Sequence, residues 1–475
     1  MVISKTGIRY LIFFVFSLTA YSLNAQGYQA LNGSPYTGST AVFNNPAASV
    51  GSIYKWDLSL FSLQFKMSTN SIYLQNFTFS HYDSSAIKFN QGLNSHYIHA
   101  TADISLLNFL YKIDNSHAFN FNIRGRTYNH IKTQPAIIVD TVTSIHSFLI
   151  ANRNTPYLDG FVTHTGWLEA DLNYSQVLIE NNYQKLTGGV TLQIMKGLSG
   201  AYLKLNKVSY LEAKNATDTT YTFTGGGGGF GYSDTYDQGT GNGGFRDFFN
   251  KTKLGIGLSL GVEYMIYNEE EYGNPVKNNL NYSWKIGASL MDIGSNYYTP
   301  SANSLQFSNP ISTIQDNGLD QKLSASSTLQ GFRDSLATLF SSSGNVTNTF
   351  SITNPTRFVL NIDKNLGSHF YVNSDLSLNF YSTTSYTKLR TRELNLLTIT
   401  PRWETIGLGA YLPVQYNTQG QLWVGAAVKL GPLVIGLHNL GLFQKDPSLN
   451  GGGYLLLSFH PFTRSKVLTN MDCAD

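Results

Sequence analysis

Apolar and polar residues alternate along much of this chain. In "SHFYVNSDLSLNFY" (Ser368 to Tyr381), Phe370, Val372, Leu376, Leu378 and Phe380 fall on one face of an extended segment. His369, Asn373, Asp375, Ser377 and Asn379 fall on the other. Successive strand side chains point to opposite sides, so the segment has one apolar and one polar face. "YQKLTGGVTLQIM" sets Leu186, Val190, Leu192 and Ile194 against Lys185, Thr187, Thr191 and Gln193. "KLGIGLSLGVEYMI" sets Leu254, Ile256, Leu258, Leu260, Val262 and Ile266 against Lys253, Ser259, Glu263 and three glycines. "LWVGAAVKL" and "IHATADISLL" repeat the pattern, with Lys429 and Asp103 on their polar faces.

These runs are long. Strands of soluble proteins usually have about 5 or 6 residues, whereas a tilted strand crossing a bilayer needs about 9–11. Candidate strands lie near residues 55–65, 71–79, 97–109, 117–129, 164–180, 183–196, 200–212, 251–267, 280–293, 351–363, 367–381, 394–403, 405–416, 420–430, 431–439 and 452–460. Two of these sixteen are too short to count on, so the pattern predicts a transmembrane antiparallel β-barrel of about 14 strands, with 16 as the next choice. A secreted β-sandwich or propeller would not account for the strand length.

The polar faces carry charge. Asp103, Arg124, Arg126, Glu169, Asp171, Lys185, Lys204, Lys253, Glu263, Lys285, Arg357, Asp363, Asp375 and Lys429 alternate with apolar residues. In a barrel they face the lumen. On the lipid face near the midplane, each Arg or Lys would cost about 2–4 kcal/mol. Both signs are present, so mutual pairing in a packed lumen is the expected arrangement rather than a selectivity ring.

Composition agrees with a barrel. Aromatic residues make up 13% of the chain, enough for interfacial girdles. Charged residues make up 13%, about half the usual share. The net charge of +3 comes without a basic run, which excludes nucleic acid as an expected partner. The first 25 residues read as a signal peptide: Lys5 and Arg9, then the apolar "YLIFFVFSLTA", then a cut after Ala25. That run is too short to span a membrane. The single cysteine, Cys473, excludes an internal disulfide framework and a cysteine metal cluster. No metal-spaced histidines, nucleophile elbow or paired carboxylates are present, so neither an enzyme nor a cofactor is expected.

Three insertions break the strand rhythm. Residues 130–162 contain "DTVTSIHSFLIAN", which predicts a short helix. Residues 214–250 contain "TGGGGGFGYSD"; five glycines without a Gly-Lys-Ser/Thr ending do not make a P-loop, and a flexible loop is expected. Residues 294–350 place Leu329, Phe332, Leu336 and Leu339 at helical spacing. Counted from a periplasmic start, the second and third insertions fall outside the cell and the first falls in the periplasm.

One stretch remains: "STAVFNNPAASVGS", ahead of the first strand. Asn45 precedes a proline and is a good N-cap, Pro46 suits the first helical position, and Ala47 and Ala48 admit a close neighbour. A short capped turn is expected. "STAVFNNPAA" resembles the Asn-Pro-Ala signature of the N-terminal hatch in FadL-type hydrophobic-compound transporters and in related Bacteroidota barrels of the PorV type. "WKIGASLMDIGSNYY" and "LWVGAAVKLGPLVIGLHNLG" resemble a Bacteroidota outer-membrane barrel family of unassigned function. The resemblance implies a signal peptide over 1–25, a hatch over 26–54 that includes Asn44, Asn45, Pro46, Ala47 and Ala48, a barrel over 55–462 and a tail over 463–475. It implies an outer-membrane location. The implied partners are outer-membrane lipid together with a small hydrophobic ligand or other envelope proteins. Two functions follow: a hatch-plugged transporter of small molecules, or a barrel that anchors or shuttles envelope or secretion components. A polar lumen weakens the hydrophobic-cargo version of the first.

Overall fold

The computed structural model describes residues 29–460 apart from 78–85, 139–143, 156, 215–218, 239–244, 268–278, 311–312, 316–328 and 383–385. The signal-peptide and C-terminal-tail expectations lie outside the described residues.

Fourteen antiparallel strands close into a ring. They are β1 (Trp56–Thr69), β2 (Leu93–Lys112), β3 (His117–Ile137), β4 (Leu158–Glu180), β5 (Gln184–Lys214), β6 (Leu254–Tyr267) and β7 (Tyr282–Tyr298). They continue as β8 (Arg357–Gly367), β9 (Phe370–Asn379), β10 (Leu396–Glu404), β11 (Leu408–Tyr411 and Val414–Asn417), β12 (Leu422–Val424 and Ala426–Leu430), β13 (Leu433–Leu437) and β14 (Gly451–Phe459). Each pairs with its neighbour in sequence, and the ring shuts where β14 pairs β1 from Leu58↔Phe459 to Met67↔Gly451. Closure leaves this ring without an unpaired edge.

The alternation sorts the two surfaces as the sequence predicts. On β6, Leu254, Ile256, Leu258, Leu260 and Val262 face outward, while Ser259 and Glu263 are buried within the ring. No helix among the described residues is long or apolar enough to cross a membrane.

The connections are asymmetric. At one end β2 and β3 are joined by 113–116, β4 and β5 by 181–183, β8 and β9 by 368–369, β10 and β11 by 405–407 and β12 and β13 by 431–432, with one longer link, 268–281, between β6 and β7. In the first of these turns Asp114 accepts the main-chain N–H of Ser116 and His117, which holds its carboxyl below the usual range. At the other end the links are 70–92, 138–157, 215–253, 299–356, 380–395, 418–421 and 438–450, all but one of them longer than ten residues. Short periplasmic turns and long outer loops are the expected asymmetry of such barrels.

All three insertions therefore share one end, which corrects the periplasmic placement of the first. Two miscounts explain the difference. The run at 71–79 is not a wall strand: Ile72–Gln75 pairs Ala86–Phe89 in a separate two-stranded sheet. The runs at 183–196 and 200–212 are one strand, β5. Each error shifts the parity by one, and together they restore it.

The glycine run is also corrected. Gly225–Gly229 lies inside a strand, Thr219–Tyr232, that pairs the upper half of β5. Leu305–Pro310 and then Phe340–Asn345 extend this sheet. The glycines admit close approach: a Cβ on Gly227 would lie 2.6 Å from the Phe307 carbonyl oxygen. Helices Ile145–Ala151 and Leu329–Ala337 cover the extension. Leu149, Tyr221, Leu305, Phe307, Leu339 and Phe340 form a core with Phe148 and Leu336 packed on it. The chain thus builds a small second core above the barrel.

Candidate functional site: the filled lumen

The segment ahead of β1 runs through the ring. It forms three short 3₁₀ turns, Gln29–Leu31, Gly38–Phe43 and Pro46–Ser49. The last is built as its residues dictate: Asn45 is extended (φ −146°, ψ 117°), its side chain accepts the Ala47 N–H, and Pro46 follows at the first position.

Wall strands hold this segment from every side. Asn45 Nδ2 donates to the Val262 carbonyl on β6 (2.9 Å), and Asn173 Nδ2 on β4 donates to the Pro46 carbonyl (3.0 Å). Asn44 Nδ2 donates to Asp375 on β9 (2.9 Å), and Ser289 Oγ on β7 donates to the Asn44 carbonyl (2.7 Å). Arg357 on β8 donates to the Phe43 carbonyl (3.0 Å), and the Arg124 guanidinium of β3 lies 4.3 Å from the Phe43 ring centre. Asp57 on β1 accepts the Ser39 N–H with one oxygen (2.8 Å) and the Ser458 hydroxyl of β14 with the other (2.8 Å). Ala47 is fully buried and Ala48 half-buried. The paired glycines Gly189 and Gly261 face this turn, and a Cβ on Gly189 would collide with the Pro46 carbonyl.

Beside Phe43 the lumen is spanned by charge. Arg126 grips Asp292 with both terminal nitrogens (2.7 and 2.9 Å). Asp292 also lies 3.3 Å from Arg357, which lies 3.3 Å from Glu393, which lies 3.2 Å from Lys66. On the opposite flank Arg124 bonds Glu169 and sits 3.5 Å from Asp171 and 3.4 Å from Asp103. The chain of ion pairs thus links β2, β3 and β4 to β7, β8 and β1. A second knot lies nearer the end with the short turns, where Arg402 bonds Asp363 at 2.6 and 2.8 Å and Glu404 at 2.7 Å. There Glu404 also accepts the Ser34 hydroxyl (2.8 Å).

The other predicted charges are more scattered. Lys185 and Glu263 are buried low in the ring, Lys185 donating to Asn279 at 3.2 Å. Glu263 and Lys285 border a cavity of about 30 Å³ between the N-terminal segment and the wall. Lys429 lies buried, 5.4 Å from the Tyr36 ring centre. Lys204, half-buried and high on β5, donates to the Thr387 carbonyl (2.8 Å). Lys253 precedes β6 and is exposed rather than lumenal, because the chain leaves the helix Phe245–Lys251 and has not yet entered the sheet.

Alternation alone missed the central residue. Strict parity places Asp292 with Ile286 and Leu290 on the outer face. The β6–β7 register slips between Leu290 and Ile293, and Asp292 takes φ +59°, which turns its carboxylate inward. Lys66 escaped because the first strand extends beyond residue 65, and Glu393 because it lies outside any strand. Arg402 and Glu404 continue the inward Thr398, Thr400 series, a signal present in the sequence. No group of three or more metal-binding side chains occurs among the described residues.

A closed 14-strand barrel with an internal N-terminal segment and a charge-filled middle is an outer-membrane-type β-barrel. The chain belongs to the family described as "Family of unknown function (DUF5723)", which matches residues 46–437. No curated protein is significantly similar in sequence. Among solved structures, the chain is similar to the toluene transporter TbuX of Ralstonia pickettii, at 11% identity and a TM-score of 0.41, covering 92% of this chain and 98% of that one. It is similar to a Pseudomonas aeruginosa FadL homologue at 10% identity and a TM-score of 0.41, covering 92% and 97%. A deletion mutant of the monoaromatic hydrocarbon channel TodX gives 11%, 0.42, 92% and 97%. These likenesses are of architecture alone.

Proposed function

We propose that the protein is a plugged channel for small molecules in the outer membrane of a Gram-negative bacterium, with residues 1–25 removed as a signal peptide and the N-terminal segment acting as a movable hatch. The observation that carries this reading is the way the segment is held. It contributes no strand to the ring; Asn44, Asn45 and the Ser39 N–H donate to the wall, and the Pro46 carbonyl accepts from Asn173. It can therefore shift while the ring stays closed. A cavity of about 950 Å³ lies at the outer end, bordered by Tyr202, Lys204 and Phe350. The ion pairs between that end and the hatch favour small polar solutes over hydrocarbons, because an apolar cargo would leave Arg126 or Asp292 desolvated and unpaired.

Deletion of Ser39 to Ser52 tests this in proteoliposomes swollen with sugars of graded size. The deletion should raise permeability above that of the intact protein. If neither protein passes any sugar while both show the gel-mobility shift of a folded barrel, the channel reading fails. The same charge network supports a second reading, a sealed barrel that anchors other envelope proteins by its outer loops. That reading predicts no swelling in either case.

A further inference from the structure

The cavity of about 950 Å³ lies over the face of the sheet that rises from β5, and residues of all four strands of that sheet border it. Pockets of about 300–1,000 Å³ hold small ligands. Asn206, Gln306, Ser308, Ser342, Asn345 and Asn348 line this one with amides and hydroxyls. Tyr202 and Phe350, with ring centres 5.5 Å apart, give it an apolar floor. Lys204 borders it too, and among the described residues no carboxylate does. An ammonium has three N–H donors; one from Lys204 goes to the Thr387 carbonyl (2.8 Å), which leaves donors for a ligand. More positive charge stands behind Lys204. Its Nζ lies 5.7 Å from the Phe161 ring centre, and Phe161 packs on Tyr386 with 4.8 Å between ring centres. Arg392 lies 3.9 Å from the Tyr386 centre, and exposed Lys132 lies 5.8 Å from it. Three cations, from β3, β5 and the 380–395 link, thus surround two touching rings. Ring faces attract cations without neutralising them.

We infer that this cavity binds an acidic sugar, the cargo of the channel proposed above, on which reading the inference rests. Amides and hydroxyls both donate and accept, as the hydroxyls of a sugar do. A charge-assisted bond from Lys204 meets the sugar's carboxylate. The three cations steer an anion toward the mouth from solution. A hydrocarbon would leave the amides and hydroxyls unpaired, and a cationic solute would be repelled by Lys204.

The test is calorimetric titration of full-length protein in detergent with trigalacturonate. Binding should appear and should weaken with added salt. Maltotriose, a neutral sugar, and citrate, an anion without a sugar, should each bind at least tenfold more weakly. Gly344 borders the cavity, and a Cβ there meets nothing within 4 Å. Gly344→Glu and Gly344→Lys therefore add long side chains of opposite charge without a clash, and both proteins should keep the gel-mobility shift. Gly344→Glu should weaken binding at least tenfold, and Gly344→Lys should not. Absence of trigalacturonate binding, equal binding of maltotriose or of citrate, or equal affinities in the folded Gly344→Glu and Gly344→Lys proteins would each overturn the inference. Binding in detergent needs no open lumen, so swelling without trigalacturonate binding would sink this inference and leave the channel standing. Binding as described without swelling would sink the channel and leave the site standing.

Discussion

Asp292→Ala should destabilise the barrel more than any other single change at the lumen. The carboxylate is fully buried and holds Arg126 at 2.7 and 2.9 Å, Arg357 at 3.3 Å and the Gln193 amide at 3.0 Å. Removing one partner of a buried ion pair costs about 3–5 kcal/mol, because the other charge stays desolvated. Two arginines lose a partner here, but neither is stranded. Arg126 keeps Glu169 at 3.5 Å and Arg357 keeps Glu393 at 3.3 Å. The loss should therefore sit at the lower end, about 3 kcal/mol. Asp292→Asn retains the shape and an acceptor and should cost less. The assay is urea unfolding in lipid vesicles, read by tryptophan fluorescence. Trp167 is a local reporter, since the Arg126 guanidinium lies 5.0 Å from its ring centre. A loss under about 1 kcal/mol, the size of an exposed surface pair, would show that the network is wet and that the lumen is not sealed at this level.

Three further outcomes are expected. Asn45→Ala removes the cap on Pro46–Ser49 and should loosen that turn by about 1 kcal/mol, seen as faster amide exchange at Ala47; unchanged exchange would mean that the wall alone fixes the turn. Ile256→Arg, at a residue 62% exposed on the outer face, should lower stability by about 2–4 kcal/mol if the site is near the midplane, and a cost no larger than that of Ser259→Ala would reverse the face assignment. Gly189→Val should drive the Pro46 turn off its seat and expose residues 29–55 to added proteinase K, whereas continued protection would show that the wall yields instead.

How much of this was legible depends on what each position answers to. Side-chain parity is local, so the inward placement of Arg124, Arg126, Glu169 and Asp171 could be read from neighbours two residues away. The Asn45-Pro46 turn was equally local. Asp292 was not, because a slip of register against β6 overrides parity. The five glycines look like a loop by propensity, yet packing against Phe307 and Lys204 makes them a strand; that decision is made by residues far away in sequence. Lys204 and Lys253 share the same alternation signal, yet one donates inside the mouth and the other lies outside the sheet. Strand ends are set by where pairing stops, which no single segment states. The sixteen candidate runs exceed the fourteen crossings because one false strand and one divided strand each added one; the two errors cancel only in the direction assigned to the later strands.

Asp57 has a bearing on how the molecule is built. One oxygen holds the Ser39 N–H, the other the Ser458 hydroxyl, so a single side chain joins the internal segment, the first strand and the last. The residues it joins on those two strands, Asp57 and Ser458, lie 401 positions apart in the chain. They can meet only after everything between them has been made and inserted. The segment before β1 is tied to that seam through the same carboxylate. Seating of the N-terminal segment and zipping of the final seam are therefore coupled through one side chain, and a chain delayed at β14 would leave Asp57 with only the first of these two partners.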